Sequence, residues 1–134
     1  MLHHPSLPGR DLHASGLLYD AALAELGFTR VCEGTDFAGY GLEPDKDKLA
    51  LKYDPGATNA GSRLHLALSA PSLDAVNAFH AAAIRHGASD EGAPGWGPPY
   101  GPAYYAAFIR DLDGHRIEAV HKTPAADAPG DLAG

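Results

Sequence analysis

Residues 72–87 read "SLDAVNAFHAAAIRHG" and residues 14–27 read "ASGLLYDAALAELG". In the first stretch Leu73, Val76, Phe79 and Ala83 fall on one helical stripe, Ser72 is placed to cap the N-terminus, and Gly87 closes the helix. In the second, Leu18, Ala22 and Leu26 recur every fourth residue and Gly27 is a natural stop. Offset by about 60 residues the two helices coincide: Tyr19 falls on Phe79, Ala21 and Ala22 on Ala81 and Ala82, Gly27 on Gly87. Each is preceded by an extended run, "LHHPSL" at 2–7 and "SRLHLALSA" at 62–70. The first helix is followed by "FTRVCEG", "FAGYGLE" and "KLALKYD". The second is followed by a poorly defined stretch near 88–92, then "YYAAFIR" and "RIEAVHK" around the turn "DLDGH". Each half therefore reads as one strand, one helix and about three strands. The period is too long for a solenoid repeat, so it predicts two copies of one supersecondary unit within a single fold.

Composition restricts the function classes. The chain has 134 residues, 45% of them hydrophobic and 20% charged, as expected of one globular domain with a real core. A net charge of −7 gives no basic footprint, which argues against a nucleic-acid partner. The lone Cys32 excludes an intramolecular disulfide and a Cys-rich zinc site, and fits a reducing cytoplasm. No apolar run is long enough to span a membrane, and "MLHHPSLPG" lacks the pattern of a signal peptide. The expected domain covers residues 1–122, with modules of about 1–58 and 60–122 and a flexible tail at 123–134. "GAPGWGPPYGP", residues 92–102, reads as a loop carrying Trp96 and Tyr100.

Strand alternation sorts the candidate functional residues. In "RLHLALSA" the leucines Leu64, Leu66 and Leu68 share the helix-facing side, leaving His65, Ala67 and Ser69 opposite. In "KLALKY" Leu49, Leu51 and Tyr53 take the helix side, opposite Ala50 and Lys52. In "RIEAV" Glu118 aligns with Arg116 and Val120, against Ile117 and Ala119. A carboxylate among apolar strand neighbours needs a partner. In "LHHPSL" alternation favours His4 over His3, and His4 and His65 occupy nearly equivalent places in the two repeats. If the sheets curve into one cup, His4, His65 and Glu118 converge in it. Two imidazoles and a carboxylate suit a divalent ion of Zn, Ni, Mn, Co or Fe. Lys52 and Tyr105 are expected to line the cup and meet substrate, with Trp96 and Tyr100 as a lid. On this reading Tyr104 and Phe108 pack toward the helices. His80 and His86 are assigned to the solvated side of their helix.

These pieces resemble the vicinal oxygen chelate superfamily of glyoxalase I, bleomycin-resistance proteins, fosfomycin-resistance transferases and extradiol dioxygenases. The resemblance spans most of residues 2–121, and its most specific part is "YYAAFIRDLDGHRIEAV". It implies an α+β fold of two βαβββ modules forming an open, cup-shaped, eight-stranded mixed sheet with helices outside. It also implies metal ligands at His4, His65 and Glu118, a small-molecule substrate and a homodimer. Two departures narrow the chemistry. Ala50 stands where glyoxalase I carries a fourth ligand, and Phe108 stands where extradiol dioxygenases carry a tyrosine. The reading that remains is a glyoxalase-like metalloenzyme using a Lewis-acid metal. The alternatives are a bleomycin-resistance-type binding protein and an Fe(II) dioxygenase.

Overall fold

The computed structural model describes residues 6–43, 46–57, 65–97 and 104–122. The elements run β1 (Ser6–Gly9), α1 (Leu12–Ala24), β2 (Thr29–Glu33), β3 (Phe37–Glu43), β4 (Lys46–Tyr53), β5 (His65–Ser69), α2 (Leu73–Arg85), β6 (Ser89–Trp96), β7 (Tyr104–Arg110) and β8 (Arg116–Lys122). This is the βαβββ unit twice. The strands form two open four-stranded mixed sheets, ordered β1-β4-β3-β2 and β5-β8-β7-β6, rather than one continuous sheet of eight. In both, the first and last strands of the module run parallel and the other pairings are antiparallel.

The helices form for local reasons. Ser72 accepts a hydrogen bond from the Ala75 N–H at 3.0 Å, and Asp11 does the same for Ala14. Gly27 and Gly87 follow the last turns with φ of 91° and 104°, a conformation that glycine adopts without strain. Capping by Asp11 starts α1 two residues earlier than the hydrophobic pattern alone suggests. The two helices pack on one another, and one core takes Leu7, Leu51, Leu18, Phe79, Leu68 and Ile117 from both modules. Val76 and Phe79 on α2, and Ile117 and Ala119 on β8, are essentially inaccessible to water.

One strand was not legible from its composition. β6 covers the stretch near 88–92 and the first part of the expected loop, ending at Trp96. Its glycines and Pro94 are tolerated because β6 is an edge strand whose register against β7 shifts at Asp90/Gly92 and Gly92/Gly95. Gly92 also leaves room for Phe108: a Cβ there would lie 2.8 Å from the Phe108 ring. The Tyr53 side chain, expected on the helix side, is half exposed at the end of β4.

The β7–β8 turn is buried and joins the modules. Asp111 accepts from the backbone N–H groups of Asp113 and His115 at 3.0 and 2.8 Å, which shapes the turn. Its other oxygen accepts from the Tyr19 hydroxyl on α1 at 2.6 Å. Asp113 accepts from the Arg10 backbone N–H, the Arg10 Nε and the Ser15 hydroxyl. The His115 Nε2 donates to the Pro8 carbonyl at 2.8 Å, which fixes the proton on that nitrogen. Burial raises the Asp111 pKa, opposed by the hydrogen bond from Tyr19 and by His115. A carboxyl with a raised folded pKa stabilises the fold most below its ordinary value, near pH 4, and that contribution is lost as pH rises through the folded value. Asp111→Asn mimics the protonated acid. In urea titrations, the stability of Asp111→Asn relative to wild type should therefore increase as pH is raised from below 4 to 7. A difference that does not vary with pH would contradict this assignment. Phe79→Ala should cost about 3–5 kcal/mol by the same method, because it empties the centre of the shared core.

Candidate functional site

The side of the second sheet turned away from the helices carries most of its chemistry. Register fixes which residues share it. Glu118 lies opposite Phe108 on β7 and Ala67 on β5, Arg116 opposite Arg110 and His65, and Val120 opposite Ala106 and Ser69. Ile117 and Ala119 point the other way, into the core. The alternation expected for β5 and β8 is therefore what the structure shows.

Glu118 is 3% exposed, so its charge is nearly stripped of water. Two protein groups compensate it. His65 Nε2 lies 2.9 Å from Oε1, and the Tyr104 hydroxyl donates to Oε2 at 2.5 Å. A carboxylate only accepts, so in this pair the His65 proton sits on Nε2. The His65 side chain is 43% exposed and forms the solvent-facing side of the pair. Its ring centroid is 6.4 Å from that of Phe108, and the Arg116 guanidinium stacks over the same phenyl ring at 4.9 Å. The buried Arg116 Nε has no hydrogen-bond partner among the described residues.

The faces assigned to three aromatic residues are reversed. Tyr105 lies with Ala107 and Ile109 on the helix side and donates to Asn77 Oδ1 on α2 at 2.7 Å. Tyr104 and Phe108, expected toward the helices, lie on the Glu118 side. The cause is the pairing of Ile109 with Ile117 and of Phe108 with Glu118, which "YYAAFIR" alone leaves undecided because both of its faces are apolar. Trp96 pairs with Tyr105 across β6–β7 and meets it edge-on at 5.1 Å, so it packs on the helix side rather than over the Glu118 face. Lys52 is exposed on β4, beside Pro8 and Phe37 in the first sheet. Ala50 is buried on that same strand. His80 is not solvated: it pairs with Asp90 at 3.0 Å, with 15% of its side chain exposed. His4 and Tyr100 lie outside the described residues. Within them, no group of three or more His, Cys, Asp or Glu side chains is arranged to hold a metal ion.

Residues His65 and Glu118 nevertheless fit a divalent cation as two of its ligands. Two donors about 2.1 Å from an ion and at right angles are roughly 3 Å apart, and the observed separation is 2.9 Å. The Tyr104 bond leaves Oε1 directed at His65. Tyr104→Phe removes a donor from a buried carboxylate and should lower stability by about 1–3 kcal/mol. Tyr105→Phe, whose bond to Asn77 is exposed, should cost less than about 1 kcal/mol. Urea unfolding of both variants at neutral pH checks this order.

No family model and no curated protein matches the chain. Solved structures do. A glyoxalase/bleomycin resistance protein from Albidiferax ferrireducens T118 aligns at TM-score 0.74 and 29% identity, over 92% of this chain and 99% of its own. A glyoxalase/bleomycin resistance protein/dioxygenase family enzyme from Burkholderia phytofirmans PsJN aligns at TM-score 0.67 and 18% identity, over 88% and 95%. A bleomycin-binding protein complexed with bleomycin aligns at TM-score 0.61 and 20% identity, over 92% and 99%. The chain thus has the fold of the glyoxalase, bleomycin resistance and dioxygenase proteins of the vicinal oxygen chelate superfamily, and these proteins are its structural neighbours.

Proposed function

We propose that the open face of β5, β8 and β7 is a small-molecule site at which His65 and Glu118, with His4 as third ligand, hold a divalent metal in a glyoxalase-like enzyme. The observation that carries this reading is the contact between His65 and the buried Glu118, at a spacing that one cation can bridge. When bound, the metal supplies a Lewis acid that polarises an oxygen of the substrate. The chain's own part is positional. Tyr104 holds the Glu118 carboxylate in one orientation. Phe108 lies beside both the His65 ring and the Arg116 guanidinium on this face. To offer Nε2 to an ion, His65 would carry its ring proton on Nδ1 instead. The assembly is proposed to be a cytoplasmic homodimer, with small molecules as its partners.

A second reading has its own support. His65 and Tyr104 already compensate Glu118, as a metal-free binding protein would require, and one structural neighbour is a bleomycin-binding protein. The dioxygenase reading ranks last, because Phe108 stands where the resemblance expects a tyrosine.

Metal analysis separates the first two. The metalloenzyme reading expects one equivalent of Zn, Ni, Mn, Co or Fe per chain, with affinity reduced at least about tenfold in His65→Ala and in Glu118→Gln. Protein that takes up none of these ions at saturating concentration, yet binds an apolar ligand equally well in wild type and His65→Ala, would establish the binding-protein reading instead.

A further inference from the structure

Beyond Glu118 the open face of the second sheet continues into a cleft of about 390 Å³, lined by Ala67, Ser69, Ala70, Tyr104, Val120 and Lys122. A cleft of this size holds a small organic molecule. Its walls divide chemically. Ala67, Ala70 and Val120 present only small apolar groups and leave room for a compact body. Ser69, Tyr104 and Lys122 supply the polar contacts.

Lys122 is the informative member. Of the described residues that line the cleft, Lys122 is the one with a cationic side chain. Among the described residues no carboxylate pairs with Lys122. Its ammonium instead lies 5.8 Å from the centroid of the Tyr104 ring, the same tyrosine whose hydroxyl reaches Glu118. Glu118 on this face is engaged by His65 and Tyr104, and the Lys122 charge stands beside the cleft. Ser69 sits on the same face two residues beyond Ala67, opposite Val120.

We propose that this cleft binds a small organic carboxylate. Its anionic group meets Lys122 and the Ser69 hydroxyl, its apolar body lies against Ala67 and Val120, and its far end points past Tyr104 toward His65 and Glu118. The inference rests on reading this face as a small-molecule site, and does not require the metal.

The test uses the full chain stripped of metal with EDTA, titrated with benzoate and with its neutral counterpart benzamide while backbone amide NMR signals are followed. Benzoate should shift the signals of Ala67, Ser69, Ala70 and Val120 and saturate, and benzamide should bind about tenfold more weakly, the loss expected for one charge-assisted hydrogen bond. Lys122→Met should reduce benzoate to the benzamide level, and Lys122→Arg should retain the preference. Equal binding of the two probes, unchanged benzoate affinity in Lys122→Met, or shifts confined to other parts of the chain would overturn the proposal. Should metal uptake fail while the Lys122-dependent preference persists, the metal reading falls and the cleft stands. Should metal bind and the preference be absent, the cleft falls alone.

Discussion

The carboxylate of Glu118 is the group whose needs organise the second module. Burying an unpaired carboxylate costs several kcal/mol or more, and Glu118 is 3% exposed in the middle of a central strand. Folding therefore has to deliver donors to it from other elements. β5 brings His65 by running parallel to β8, and β7 brings Tyr104 by antiparallel pairing. A register slip of one residue on either side would turn those donors into the core and strand the charge.

Placement of that face depends on the β7–β8 turn. Asp111 and Asp113 spend their oxygens on the turn's own backbone and on Tyr19, Arg10 and Ser15 of the first module. The turn thus holds the start of β8 against the junction of β1 and α1, two residues before Glu118 enters the sheet. Buried acids close to a candidate site invite a catalytic reading. Here their partners are structural and lie on the helix side, so the proposed site is built on Glu118 and His65 and not on these acids.

Much of this was legible in the sequence. Helical periodicity and the repeat gave the βαβββ units, and the alternation of leucines with His65, and of Ile117 and Ala119 with Glu118, gave the correct faces of β5 and β8. Those segments are readable because only one of their faces is apolar. "YYAAFIR" is apolar on both, so nothing within it chooses between Tyr104 and Tyr105, and the choice comes from the pairing of Phe108 with Glu118. That same pairing is the signal that could have found Tyr104: a buried carboxylate needs donors from the strand alongside. β6 was hidden for another reason. Its Gly and Pro content is that of a loop, and only its edge position and the space Phe108 requires above Gly92 make it a strand. The buried turn acids were hidden because a D-x-D-G pattern signals a turn and says nothing of what packs on it.

His65 and Glu118 are proposed as two adjacent ligands of one cation on the open face. Anomalous diffraction from crystals of the full chain soaked in cobalt(II) tests it most directly. One strong peak is expected about 2.1 Å from both His65 Nε2 and Glu118 Oε1. A saturated crystal with no peak there, or with the His65–Glu118 hydrogen bond intact and cobalt bound elsewhere, would contradict it.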